Sequence, residues 1–374
     1  MKISVIHGIC VRNDAISNAI ADNIGWLIDA GHEVVLFAYA CEQALPHRLV
    51  RDATDIMLDA HFQASDIVIF HYGIYYPLFD LILLAPRQAR RLVVFHNITP
   101  RQFVGAEHHA TIDKSFAQMG NMMFADHVAC DSASNLAVLR AAGITVPAGV
   151  LPLAVHGQAQ PCAFKPGHLE GVVRLVFVGR LVQSKGVADL LDAVARCLHA
   201  DSAARIALDL VANLGFSDPA LVEAVRDAAA EWPRRFGPRV SVRLHGDAPD
   251  ELKQRLLAQG DVFILPTYHE GFCVPIVEAL AAGCRVLCYD NSNTPAIAGG
   301  FARLVPTGDV AALADALGDE LALAGSPGWQ AGGFSTFAAQ AWRYAHTFAP
   351  ARARQRLITL VAELADGTLD MTAM

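Results

Sequence analysis

The feature that most constrains the fold of this chain is a repeated alternation of short apolar runs with segments of helix length. The runs are Lys2–Ile6, Glu33–Ala38, Asp66–Phe70, Leu92–Phe95 and His127–Cys130, then Leu175–Val178, Ile206–Val211, Val240–Leu244, Asp261–Leu265 and Arg285–Tyr289. Nearly continuous apolar strands separated by helices imply parallel sheets covered on both faces, an α/β class with doubly wound domains. A length of 374 residues suits two such domains, and 53% hydrophobic against 18% charged residues gives each a core. The expected division is a first domain over residues 1–157 and a linker over 158–171, which holds two prolines and little periodicity. A second domain over 172–345 and a C-terminal helical segment over 346–374 follow.

Several function classes are disfavoured. A net charge of -8 and a pI near 6.0 argue against a general nucleic-acid binder. Eight scattered cysteines without a paired C-x-x-C framework point away from structural zinc and disulfides, and toward a reducing cytoplasm. The chain opens on strand-like residues without a charged, then apolar, leader. The long apolar stretch Ile67–Pro86 contains His71, Pro77 and Asp80, which suits a strand followed by a helix better than a membrane span. The first turn, His7 to Asp14, lacks G-x-G-x-x-G, so a dehydrogenase is disfavoured. Tyr75-Tyr76-Pro77-Leu78-Phe79, followed by Arg87, Arg90 and Arg91, fits either an ordinary core helix or contact with an anionic membrane surface.

The stretch His269 to Gly283 lies between two strand-like runs. Pro275 fits a first helical position and Gly283 the position past a helix end. The loop before this helix sits at a strand's carboxyl end, where open α/β sheets bind ligands, and the helix start favours an anion. Glu270 and Glu278 flank it, and each can accept hydrogen bonds from sugar hydroxyls. Upstream, Gly179-Arg180-Leu181 and Lys185-Gly186 follow another strand; Arg180 can fork onto two phosphate oxygens and Lys185 adds a compact charge. The pattern reads as a nucleotide-sugar site.

Glu270 and Glu278 stand in an E-x7-E arrangement within E-G-F-x-x-P-x-x-E-A-x-A-x-G, and G-R-L-x-x-x-K-G precedes it. Together these resemble retaining glycosyltransferases of family four, whose GT-B fold sets two Rossmann-like domains facing each other and commonly returns the last helix to the first domain. The run His96-Asn97-Ile98-Thr99-Pro100 resembles a subgroup acting in bacterial surface-polysaccharide assembly. The resemblance implies hexose transfer with retention from a UDP- or GDP-sugar to a saccharide acceptor, lipid-linked, in exopolysaccharide or lipopolysaccharide assembly at the inner membrane face. It implies catalytic roles for His96, Glu270, Lys185 and Arg180, with His96 and Glu270 at the sugar. It assigns donor binding to Gly179, Gly271, Phe272, Cys273, Val274 and Glu278, the last at the ribose. No cofactor is implied, and without a D-x-D pair no metal is expected.

The chain departs from the family pattern in three places. Asn13 to Asn18 stands where paired glycines are common, Leu153-Ala154 replaces Asn-Gly, and Ala296 replaces a glutamate. Two other readings of the same fold are a nucleotide-sugar 2-epimerase and a non-catalytic partner subunit. Among the remaining polar residues, His71 reads as a satisfied core histidine, and Asp131 to Asn135 read as helix caps. His108 and His109 point in different directions on a helix and form no metal pair. Asn213-Leu214-Gly215 and His245-Gly246-Asp247 are candidates for base contact.

Overall fold

The computed structural model describes residues 1–12 and 14–369, without the side chains of residues 168 and 169; Asn13 of the first loop lies outside them. The chain divides into two compact units: Met1–Ala154 with the segment from Pro350 onward, and Val155–Ala349. The stretch expected as a linker therefore belongs to the second unit, and Lys165 within it is fully buried. Residues 346–349 also stay with that unit.

In the first unit, strands β1 (Lys2–Ile6), β2 (Glu33–Ala38), β3 (His47–Leu49), β4 (Ile67–Tyr72), β5 (Arg90–Phe95), β6 (His127–Cys130) and β7 (Ala148–Val150) form one sheet. Its order is β3-β2-β1-β4-β5-β6-β7, every pairing parallel. Helix α1 (Ala15–Asp29) begins at Asp14, whose Oδ2 accepts from the Ser17 amide and hydroxyl at 2.8 Å each. Side chains thus close the loop that has no paired glycines, and the Val11 amide donates to Ser17 Oγ at 3.0 Å. Tyr76, Leu78 and Phe79 are buried in the core, and a 3-10 helix runs over Pro77–Leu83, while Tyr75 is half-buried.

The second unit's sheet has strands β8 (Val173–Val178), β9 (Ile206–Ala212), β10 (Val240–Gly246), β11 (Val262–Leu265), β12 (Arg285–Asp290) and β13 (Ala302–Pro306). The order β10-β9-β8-β11-β12-β13 is again all parallel and reverses direction at β8. Loops that leave β8 and β11 consequently start side by side at the carboxyl edge. Helices α2 (Val187–Ala200), α3 (Asp250–Gln259) and α4 (Val274–Ala281) follow β8, β10 and β11. Helix α5 (Pro350–Asp366) completes the first unit, burying Leu357, Leu360, Val361 and Leu364 against the core that also holds Ile20, Ile24 and Leu27 of α1. No helix among the described residues is long and apolar enough to cross a membrane.

Candidate functional site

In the second unit, the loop after β11 is fastened to the loop after β8 through backbone. Ser184 O accepts from the Tyr268 amide at 2.8 Å and from Thr267 Oγ1 at 3.1 Å. Gly186 makes this approach possible: its φ is +66°, and a Cβ there would sit 1.9 Å from the Pro266 carbonyl oxygen. The fastening places Lys185 beside Glu270, with Nζ 2.5 Å from Oε1. The Glu270 amide donates to Ser292 Oγ at 2.9 Å, and Asn293 Nδ2 donates to the Phe272 carbonyl at 3.1 Å. Two tyrosines, Tyr268 and Tyr289, donate to one oxygen of Asp189 at 2.7 Å each and brace the same loop from α2.

Gly271, Phe272 and Cys273 are buried, and Val274 is half-buried at the start of α4. Cys273 caps that helix with φ at +75°, a left-handed conformation that costs a non-glycine residue about 1 kcal/mol or more. Pro275 occupies the second helical position, one later than expected, because Val274 already has helical geometry. Arg180 is exposed at the tip of β8, beside half-buried Gly179.

Glu278, on α4, is 5% exposed and its Oε1 accepts from Lys253 Nζ at 2.6 Å and Gln254 Nε2 at 3.4 Å. Burial raises the Glu278 carboxyl above its ordinary range against the pull of Lys253. Burial also lowers the Lys253 ammonium, but Glu278 and Asp250 outweigh it and the net direction is upward. The sequence reading missed Lys253. Its signal was the scarcity of lysine: of five in the chain, Lys165, Lys185 and Lys253 lie in this unit.

The first unit contributes a row of polar side chains at neighbouring strand tips. His71 lies opposite Val94 in the β4–β5 register, and Val94 lies opposite Ala129 in β5–β6. His96 and Asp131 each fall two residues further along their strand lines, so the period of two brings all three to one face. His96 Nδ1 lies 2.8 Å from Asp131 Oδ2, and His96 Nε2 lies 2.8 Å from His71 Nδ1. Both ring nitrogens of His96 are thus engaged within this row, and its side chain is 1% exposed. Asp131 was expected as a cap; Ser132 alone caps the following helix, and Asp131 turns inward to His96. Burial pushes the Asp131 carboxyl up, against His96, and pushes His71 well below the usual histidine value, helped by His96 and His7. The outer atoms of this row, Asp131 Oδ1 and His71 Nε2, have no partner. Asn97, next in the chain, has φ at +93°.

A cavity of about 750 Å³ in the second unit opens at the amino ends of β8 and β11, lined by Val173, Arg205, Asp261 and Asp319 among others. It contains none of the residues singled out above. No group of three metal-ligating side chains occurs among the described residues.

Residues 173–322 match the family model described as glycosyl transferases group 1. Among curated proteins, the chain is 28% identical over 139 residues to the O-antigen chain mannosyltransferase B of Escherichia coli, covering 37% of this chain and 34% of that protein. It is 32% identical over 176 residues to the MMP alpha-(1->4)-mannosyltransferase of Mycolicibacterium hassiacum, covering 45% and 38%. The matches span about a third of those relatives' own lengths. Among solved structures, a sucrose-phosphate synthase from Thermosynechococcus elongatus superposes with a TM-score of 0.75 at 18% identity, over 98% of this chain and 99% of the other. A glycosyltransferase from Rickettsia africae gives 0.70 at 14%, over 97% and 98%. The chain has the GT-B fold, built from two parallel-sheet α/β units, and the stretch that matches the group 1 glycosyl transferase model lies in the second.

Proposed function

We propose that this chain is a retaining glycosyltransferase that moves a hexose from a nucleoside diphosphate sugar to a saccharide hydroxyl. The observation that carries this reading is the Lys185–Glu270 pair at the carboxyl edge of the second sheet, where two loops are fastened together within the matched domain. As the anomeric carbon becomes cationic, negative charge grows on the departing diphosphate. Lys185, Arg180 and the start of α4 are the groups that meet it. Glu270 keeps Lys185 in place through Oε1 and uses Oε2 for a sugar hydroxyl, an acceptor whose bond strengthens as the ring gains positive charge. Glu278, neutralised by Lys253, receives the ribose hydroxyls. Gly179, Gly271, Phe272, Cys273 and Val274 form the backbone lining of the donor site.

Two relatives are named mannosyltransferases, which makes mannose on guanosine or uridine diphosphate the first donor to test. The name of the Escherichia coli relative favours a lipid-linked surface-polysaccharide acceptor. The test is incubation of the full chain with these donors, following release of the nucleoside diphosphate and the anomeric configuration of the product by proton NMR. An α-donor should give an α-product. Inversion would remove the mechanism, and neither release nor thermal stabilisation by any donor would remove the function.

A further inference from the structure

The loop that leaves β12 reaches the Glu270 loop through three consecutive side chains, Asn291, Ser292 and Asn293. Asn291 Nδ2 donates to the Thr267 carbonyl at 2.7 Å and Asn293 Nδ2 to the Phe272 carbonyl at 3.1 Å, so the two asparagines hold either end of the segment that contains Glu270. Ser292 acts between them, on Glu270 itself: its Oγ accepts from the Glu270 amide at 2.9 Å. The direction of each bond in this network is fixed. Asn291 Nδ2 also donates to Thr307 Oγ1 at 3.1 Å, whose own hydrogen goes to the Asp290 carbonyl at 3.0 Å. Asn291 Oδ1 is left to accept, and it takes the Ser292 hydroxyl at 2.8 Å. The serine hydrogen is thereby engaged, and a lone pair of Oγ faces the Glu270 N–H. Ser292 is exposed, yet it holds this position with φ at +39°, in the left-handed region that residues with a Cβ seldom enter.

We propose that Ser292 is a positioning residue for Glu270, holding the Glu270 peptide so that its carboxylate stays on Lys185. This rests on the glycosyltransferase reading and adds to it a residue that acts through another. The Glu270 carboxylate stands at the end of its side chain, so a small turn of the peptide displaces it further than the backbone moves, and its 2.5 Å contact with Lys185 tolerates little displacement. Two observations separate this role from one in stability. The asparagines already fasten the loop on both sides of Glu270, so the Ser292 bond sets only the Glu270 peptide. Glycine would adopt the left-handed backbone freely, so serine here carries a conformational cost that only its hydroxyl offsets.

Ser292→Gly and Ser292→Ala both delete the hydroxyl, but glycine relieves the left-handed backbone while alanine keeps it. In the full chain, Ser292→Gly should melt at or above the parent temperature and Ser292→Ala below it. Both should nevertheless lower kcat on the order of 10-fold, with KM for GDP-mannose or UDP-glucose within about twofold of the parent. If activity instead follows melting temperature, with Ser292→Gly at parent kcat, Ser292 is structural and the inference falls. Acetylation by acetic anhydride, followed by peptide mass spectrometry in a chain with five lysines, is independent of turnover. Lys185 released from Glu270 is more open to the reagent, so it should label several-fold faster in Ser292→Gly than in the parent, approaching its rate in Glu270→Gln, while Lys2 and Lys114 label alike in all three. Unchanged labelling of Lys185 overturns the proposal even where kcat falls. Faster labelling in a protein that transfers no sugar upholds the positioning and removes the transferase reading.

Discussion

Replacing Lys253 by methionine keeps most of the side-chain volume and deletes the cation that faces Glu278. Glu278 is 5% exposed, and its carboxyl already lies above the ordinary value of 4.5 because burial outweighs the attraction of Lys253. Without that cation, the least costly response is for Glu278 to take a proton. At pH 7 this costs, relative to the unfolded chain, about 1.36 kcal/mol for each of the roughly 2.5 pH steps from 4.5, or about 3.4 kcal/mol. Part of this penalty is present in the parent, and Gln254 stays within 3.4 Å, so the expected loss is roughly 2–3 kcal/mol. The sign follows from a raised carboxyl: the unfolded chain releases its proton above pH 4.5 while the folded variant holds it, so the deficit grows with pH. At pH 5 the same arithmetic leaves about 0.7 kcal/mol or less. Urea denaturation of parent, Lys253→Met, Glu278→Gln and the double variant at pH 5 and 7 measures it. A deficit of equal size at both pH values, or a double variant no more stable at pH 7 than Lys253→Met, would refute the reasoning.

Gly186→Ala should cost more than about 2 kcal/mol, combining a left-handed backbone with a Cβ 1.9 Å from Pro266 O, and should misplace Lys185; an unchanged melting temperature would contradict the close approach. Glu270→Gln and Lys185→Ala should each lower kcat on the order of 10²-fold with the fold intact by circular dichroism; a raised KM with parent kcat would make either a binding residue only. Chelation by EDTA should leave transfer unaffected, and its restoration by magnesium or manganese after loss would count against Arg180 and Lys185 as the diphosphate's counter-charges. Burial holds His7 near 4 against an ordinary 6.5, and His127 likewise, so the unfolded chain binds protons first as pH falls. Stability should drop between about pH 6.5 and 4, by on the order of 3 kcal/mol for His7, and melting curves for parent and His7→Asn should diverge above pH 6.5 less than below it.

The main strands were legible because strands buried on both faces are written as apolar runs. His47–Leu49, exposed along its length at the sheet edge, carries no such mark, and Ala302–Pro306 buries only Val305. Glu270 and Lys185 could be singled out by motif, yet their 2.5 Å contact depends on Gly186 admitting the Pro266 carbonyl, a meeting of residues eighty apart in sequence. Asp131 illustrates the opposite case. Its place before Ser132 explained it locally as a cap, while its actual partner is set by the register between β5 and β6, which no local pattern states. His7 was read only as part of a turn that lacks G-x-G-x-x-G; its fixed tautomer comes from a carbonyl on another strand.

Lys165 has no carboxylate partner among the described residues: its ammonium donates to the Leu257 and Ala258 carbonyls at 3.2 and 3.1 Å and to the Ala282 carbonyl at 2.8 Å. These oxygens belong to the last turns of α3 and α4, so a buried cation sits against the negative poles of two helices. The far end of α4 is the one turned toward the Glu270 loop, eight residues or about 12 Å away. A cation that cancels the negative pole leaves the opposite pole of α4 less compensated, and at an effective dielectric of 20 its own charge contributes about 1.4 kcal/mol to an anion at that distance. Lys165 thus acts as an internal counterion that extends the reach of α4's positive end, giving a residue with no access to solvent a share in how strongly the far loop would attract an anion.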